Sequence, residues 1–206
     1  KVEYSISSGS SPRSLRALPA WARGLRTVQW RASDPNGDPL RYRLERRAEG
    51  TSGWTLMADK VENTAFTWDT NPLPDGRYRV RVTATDAATN AVGEEAVVIA
   101  ESVPFPVDNT PPRITSLNAV AKPPGVSFEG EATDEGGLLS QLDVAIDEED
   151  WRPVAEDSGL IDGPRATFHA LIKAVPPGEH TLSVRATDLA GNSTSRAVRV
   201  TVARPR

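Results

Sequence analysis

The chain has 206 residues, a formal net charge of −4, no cysteine, 38% hydrophobic residues and 25% charged residues. This balance is typical of a folded globular protein, and the length predicts one or two domains. The lack of cysteine excludes disulfides, thiolate metal sites and cysteine nucleophiles, and the lack of a basic excess argues against nucleic acid as a main partner. The chain contains no apolar run of about 18 residues, the length that would predict a membrane-spanning helix. The first residues contain no apolar region typical of a signal peptide.

Apolar and polar residues alternate in the first half of the chain, which predicts half-buried β-strands. The alternation runs through Val28 and Trp30, then through Tyr42 and Leu44, and again from residue 78 to residue 84. The clusters "DPNGDP", "EGTSG" and "NPLPDG" separate these stretches and are rich in turn-forming residues. No segment shows a helical period, so the pattern predicts an all-β fold.

The second half of the chain repeats the first. The stretch "LPDGRYRVRVTATDAATN" at 73–90 aligns with "VPPGEHTLSVRATDLAGN" at 175–192, so that Tyr78 corresponds to His180 and Asp86 to Asp188. The repeat predicts two β-sandwich domains of about 100 residues each, at 1–107 and 108–206. The boundary falls in "VPFPVDNTPP", whose prolines predict a semi-rigid junction. The shared Asp and Asn residues are predicted to shape a hairpin loop by binding nearby backbone amides.

Two sets of motifs carry a resemblance to known domain families. "LPDGRYRVRVTATD" resembles strand F of a fibronectin type III domain, which implies that the Tyr78 hydroxyl bonds back to the preceding turn; Trp30 resembles the buried tryptophan of strand B in that family. The second copy has His180 in place of the tyrosine. "DNTPPRI" and "ATDLAGNS" resemble bacterial immunoglobulin-like modules instead.

The tandem as a whole is similar to the pair of sandwich domains at the C-terminal end of large bacterial secreted or surface proteins, often behind a β-propeller. This resemblance implies an extracellular, periplasmic or cell-surface location. It also implies that the partners of the chain are other domains of the same larger polypeptide. The implied role is a non-catalytic spacer that orients or attaches that polypeptide.

The positions of the histidines and the absence of known catalytic motifs argue against an enzyme. The chain has two histidines, His169 and His180, and both fall in strand-like segments. No Gly-x-Ser-x-Gly elbow, His-Glu-x-x-His helix or phosphate-binding glycine loop occurs. We therefore predict no catalytic residues.

Calcium is the one metal that the sequence suggests. Asp34, Asn36 and Asp38 form half of an EF-hand-like loop, but its closing position is Glu45, which lies in the next predicted strand. A second set of possible calcium ligands follows from the fold, because two loops of such a sandwich lie at the end where the chain enters the domain. Cadherin linkers resemble this arrangement; the alternative is a set of Asx turns beside a stiff linker. The set consists of Asp108, Asn109, Asp134, Glu135, Asp188 and Asn192.

A group of arginines forms a further candidate surface. Strand alternation predicts that they point outward from two neighbouring strands of the first domain, where they could bind an acidic glycan or protein. They are Arg41, Arg43, Arg77, Arg79 and Arg81. The alternative is a solvated face that is neutralised by Glu45, Glu94 or Glu95. Trp54 and Trp151 correspond across the repeat, which favours a shared packing role over a sugar-binding platform.

Overall fold

The computed structural model describes residues 2–3, 23–147, 149–155, 157 and 159–204. Most of the N-terminal stretch that was considered for a signal peptide lies outside the described residues. The chain divides into two compact units, Lys1–Val107 and Asp108–Arg206. All regular elements in the described ranges are strands, which confirms the all-β prediction, and no helix there has the length and hydropathy that crossing a membrane requires.

The first unit is a sandwich of two antiparallel sheets. Its strands are β1 (Val2–Glu3), β2 (Leu25–Trp30), β3 (Arg41–Ala48), β4 (Thr55–Val61), β5 (Ala65–Asp69), β6 (Gly76–Thr85), β7 (Val97–Glu101) and β8 (Phe105–Val107). One sheet has the order β1-β2-β5 and the other β4-β3-β6-β7, with β8 also paired to β6. Residues from both sheets share one core, in which Trp30 of β2 meets Tyr42 of β3 edge to face at 5.1 Å.

The second unit repeats this strand order. Its strands are β9 (Arg113–Lys122), β10 (Gly125–Thr133), β11 (Leu139–Ile146), β12 (Arg152–Pro153), β13 (Arg165–Lys173), β14 (Gly178–Asp188) and β15 (Ser193–Val202). The sheets are β13-β10-β9 and β12-β11-β14-β15. Phe128 and Phe168 lie 6.3 Å apart in a core that both sheets contribute to. The two units are therefore tandem β-sandwiches of the fibronectin type III and immunoglobulin-like class.

A serine bridges the interruption between β7 and β8. The Ser102 N–H donates to the Val80 carbonyl at 2.8 Å, and the Ser102 hydroxyl accepts the Val80 N–H at 3.0 Å. The same hydroxyl donates to the Val103 carbonyl at 2.8 Å. Both main-chain groups of the fully buried Val80 thus keep partners where the outer strand breaks. The outer strand then resumes with Phe105, whose ring packs against Trp68 and Tyr78.

The tyrosine corner that the resemblance to a fibronectin type III strand F implies is confirmed. Tyr78 is buried, and its hydroxyl donates to the carbonyl of Pro74 at 2.9 Å. The predicted burial of Trp30 is confirmed as well.

We expect Tyr78→Phe to lower the free energy of unfolding of the first unit by about 1 kcal/mol, the usual net value of one hydrogen bond. Urea denaturation followed by tryptophan fluorescence measures this change. Tyr42→Phe removes from another buried tyrosine of this unit a hydroxyl that has no hydrogen-bond partner among the described residues, and serves as the control. An unchanged unfolding midpoint in Tyr78→Phe would contradict the role of this hydroxyl.

Candidate functional site

Three carboxylates from separate segments converge where the chain enters the second unit. Asp108 precedes β9, Asp134 follows β10, and Asp188 ends β14. One oxygen of each carboxylate lies within 4.8 Å of the corresponding oxygens of the other two. Asp134 and Asp188 are buried and Asp108 is half-buried. We call these three residues the entry cluster.

The charges of the entry cluster need compensation. Two like charges about 4 Å apart repel by about 4 kcal/mol at an effective dielectric constant of about 20. A bound cation would supply that compensation.

Asn192 ties the entry cluster together. This side chain is fully buried, and its amide nitrogen donates to Asp188 Oδ2 at 2.8 Å and to the Asp108 carbonyl at 3.1 Å. Its main-chain N–H donates to Asp188 Oδ1 at 2.8 Å. Asn192 Oδ1 and Asp134 Oδ2 are buried oxygens for which the described residues supply no hydrogen-bond donor. Such oxygens require a partner of another kind, since burying an unpaired polar atom is costly.

The structure brings together four of the six predicted metal ligands: Asp108, Asp134, Asp188 and Asn192. Glu135 is exposed, and it is not one of the three carboxylates of the entry cluster. Asn109 is half-buried beside Asp108.

The predictions missed Gly137. A Cβ atom there would lie 2.3 Å from Asp108 Oδ2 and 2.9 Å from Asp134 Oδ2, so both oxygens approach the main chain over a residue without a side chain. The available sequence signal is the pair of glycines that follows Asp134 and Glu135 in "DEGG".

The half-EF-hand in the first unit is a turn. Asp34 Oδ1 accepts the N–H groups of Asn36 at 2.8 Å and Asp38 at 3.1 Å, and Gly37 adopts a φ of 80°. This carboxylate oxygen is therefore engaged in an Asx turn.

Each of the five candidate arginines lies in an ion pair. Arg41 pairs with Glu62 at 2.8 Å, Arg43 and Arg81 pair with Glu45 at 3.5 and 2.7 Å, and Arg77 and Arg79 pair with Glu49 at 3.0 and 3.7 Å. Glu45 is one of the partners expected from the sequence; Glu49 and Glu62 were not anticipated. These carboxylates reduce the positive potential of the face, which is therefore less attractive to an acidic ligand than five free cations would be.

Both units contain the same stack of a carboxylate, an arginine and a tryptophan. In the first unit, Arg81 binds the buried Glu45 through Nε and Nη2 at 3.0 and 2.7 Å and lies 4.4 Å from the ring of Trp54. In the second unit, Arg185 binds the buried Asp143 at 3.2 and 2.8 Å. Its guanidinium lies 4.5 Å from the Trp151 ring. The shared packing role predicted for the two tryptophans is therefore confirmed.

The two histidines occupy different environments. His169 is exposed and hydrogen-bonded to Asp157. His180 is buried, with Nε2 2.8 Å from the Pro176 carbonyl and Nδ1 2.8 Å from Asp147 Oδ2. His180 thus makes the corner bond that Tyr78 makes in the first unit.

Both neighbours of the His180 ring can only accept hydrogen bonds, so the arrangement favours the doubly protonated imidazolium. The hydrogen bond to Asp147, followed by the bond to Pro176, raises the pKa of His180. The bond from His180, together with the Thr181 N–H, lowers the pKa of Asp147.

We expect the second unit to lose stability as the pH rises above neutrality. A raised folded-state pKa of His180 stabilises the unit fully below the unfolded value of about 6.5. This contribution disappears as the pH rises through the folded-state pKa. The lowered pKa of Asp147 stabilises the unit above pH values of about 4, and that contribution disappears on acidification. Thermal unfolding between about pH 2 and pH 9 measures both limbs.

His180→Tyr is the matched variant for this pH dependence, because its hydroxyl reproduces the corner bond of the first unit and does not titrate near neutrality. We expect it to remove the decline above pH 6.5. The first unit contains no histidine and serves as an internal reference. An equal decline in His180→Tyr would contradict the assignment.

Comparison with known proteins gives limited matches. No protein-family model matches the chain. The uncharacterized protein YvnB of Bacillus subtilis (strain 168) is 32% identical over 129 residues, which make up 62% of this chain, and the chain spans 8% of the length of YvnB.

Three solved structures are similar at low sequence identity. The chicken CNTN1 FN1–FN3 domains have a TM-score of 0.45 and 12% identity, covering 89% of this chain and 64% of that one. Dimeric latent PorU from Porphyromonas gingivalis has a TM-score of 0.40 and 17% identity, covering 88% and 22%. The chicken interferon gamma receptor alpha chain has a TM-score of 0.35 and 11% identity, covering 88% and 94%. Since these TM-scores are all below 0.5, the fold assignment rests on the strand order and shared cores described above.

Proposed function

We propose that the chain is a non-catalytic structural tandem that spaces or attaches the other domains of a larger secreted or cell-surface polypeptide. The observation that carries this proposal is that each unit is a sandwich with a hydrophobic core of its own. Val107 is buried and pairs with Gly76 in the β6–β8 ladder. The next residue, Asp108, is bound through its carbonyl by Asn192 of the second unit. The first unit thus ends in a paired strand, and the second unit begins with a bound residue.

The engagement of the reactive side chains supports a role without catalysis. His180 is committed to the corner bond, and His169 is paired with Asp157. The matching segment is a small part of YvnB, which supports the proposal that this tandem works within a longer polypeptide.

Limited proteolysis tests the spacer proposal. We expect a broad-specificity protease such as subtilisin to leave residues 103–112 of the native chain intact, because cleavage requires a locally unfolded segment. A variant with Gly-Ser-Gly-Ser-Gly-Ser inserted between Val107 and Asp108 should be cut there into two unit-sized fragments. Equal rates of cleavage at this boundary in both proteins would refute a spacer and indicate a tether.

A groove supports a second candidate function, the binding of an acidic glycan or protein surface. The groove has a volume of about 550 Å³, and its charged lining residues are the cations Arg41, Arg43 and Lys60 and the carboxylates Asp59 and Glu95. Retention on immobilised heparin tests this function. The native chain should be retained more strongly than the double variant Arg41→Ala with Arg43→Ala, whereas Arg199→Ala in the second unit should behave like the native chain. Equal retention of all three would eliminate this groove as the site.

A further inference from the structure

We propose that the second unit binds one calcium ion at the entry cluster, a function independent of the spacer role. The cluster consists of Asp108, Asp134 and Asp188, with one oxygen of each within 4.8 Å of the others. Calcium binds oxygen ligands at about 2.3–2.6 Å, so ligands on opposite sides of the ion are separated by about 4.6–5.2 Å. The spacing of the three oxygens is thus compatible with one shared ion.

A second, independent observation is the unpaired oxygen of Asp134. This side chain is 3% exposed. Its Oδ1 accepts the Gly136 N–H, whereas Oδ2 is buried and receives no hydrogen bond from the described residues. The free Oδ2 lies beside Asp108 Oδ2, since both oxygens are close to the position that a Cβ of Gly137 would occupy. A cation would give this oxygen a partner and offset the repulsion between the carboxylates.

The ligand chemistry selects calcium among the common divalent cations. Zinc prefers nitrogen and sulfur ligands, and the entry cluster supplies carboxylate oxygens. Magnesium binds at about 2.0–2.1 Å with strict octahedral geometry and retains several waters. Three protein carboxylates from separate segments suit the longer and more flexible coordination of calcium. The buried Asn192, which binds Asp108 and Asp188, holds two of the three segments in place.

Calorimetric titration of the full chain with calcium chloride tests the proposal, after treatment with chelator and at pH 7.5. We expect one ion per chain. We also expect a rise in the unfolding midpoint of the second unit that grows with calcium concentration, because a ligand bound to the folded state stabilises it by mass action. The midpoint of the first unit should not change. Absence of binding heat, or an equal effect of magnesium chloride at the same concentration, would overturn the proposal.

Variants separate this site from non-specific binding. Asp134→Asn and Asp108→Asn should each weaken calcium binding at least tenfold, and circular dichroism establishes that each variant is folded. Asp108 is half-buried, so its variant provides the test if Asp134→Asn does not fold. Asp162→Asn changes an exposed carboxylate of the same unit and should leave the affinity unchanged. Equal affinity in Asp108→Asn and the native chain would exclude the entry cluster.

Discussion

Gly125→Ala is expected to unfold the second unit or to lower its free energy of unfolding by more than about 3 kcal/mol, a large part of the usual total of about 5–15 kcal/mol. Gly125 is buried at the start of β10, between Lys122 of β9 and Lys173 of β13. A Cβ atom there would lie 1.8 Å from the carbonyl oxygen of Ile172 and 3.0 Å from the Cα of Lys173. Both atoms belong to the main chain of a paired strand, so no side-chain rotation relieves the clash.

Gly163→Ala is the control for this substitution. Its added Cβ would meet the Arg165 carbonyl at 3.6 Å, an ordinary contact distance, and should be tolerated. Scanning calorimetry resolves the result if the two units unfold in separate transitions; otherwise circular dichroism of residues 108–206 reports it. A midpoint for Gly125→Ala within the experimental error of Gly163→Ala would show that β13 moves aside at no cost.

Arg185→Ala is expected to destabilise the second unit by about 3 kcal/mol. Removing one member of a buried ion pair leaves the other charge buried and uncompensated, which costs about 3–5 kcal/mol in the most buried cases. Asp143 is 2% exposed, whereas Arg185 is partly exposed, so the lower end of that range applies. The variant also removes the cation that packs on Trp151.

The double variant Asp143→Leu with Arg185→Leu separates a buried charge from lost packing. If the uncompensated carboxylate causes the loss, the double variant should be more stable than Arg185→Ala, because paired charges are often replaced by apolar residues at little cost. Chemical denaturation of all three proteins measures the difference. A double variant no more stable than Arg185→Ala would show that the uncompensated carboxylate of Asp143 is not the main cause of the loss.

Local patterns predicted the features that depend on one strand or one turn. The alternation around Tyr78 and Val80 predicted the inward and outward faces of β6. The resemblance to a fibronectin type III strand F predicted the corner bond of Tyr78, and the repeat placed His180 at the corresponding position. The Asx turn at Asp34 followed from its own residue types. These features are encoded within a few residues, so one sequence is enough to read them.

Features that depend on register between distant residues were not predicted. The pairing of Arg41 with Glu62 depends on β3 and β4, whose ladder contains two register shifts. The role of Gly137 depends on the approach of Asp108 from a segment that precedes β9. The entry cluster was predicted because the fold determines which loops lie at the same end of the sandwich. Neither the fold nor the sequence specifies which oxygens of the cluster receive no hydrogen bond.

The break at Ser102 has a consequence for a chain under tension. A pull on the C-terminal side of the first unit acts first on β8, a three-residue strand paired with β6. Detachment of residues 103–107 would lengthen the chain by up to about 3.5 Å per residue. Ser102 would still bind both main-chain groups of Val80, through its own N–H and its hydroxyl. We expect the first unit to yield in a short, reversible step before its sandwich opens, so that a brief load on the polypeptide is absorbed without unfolding a domain.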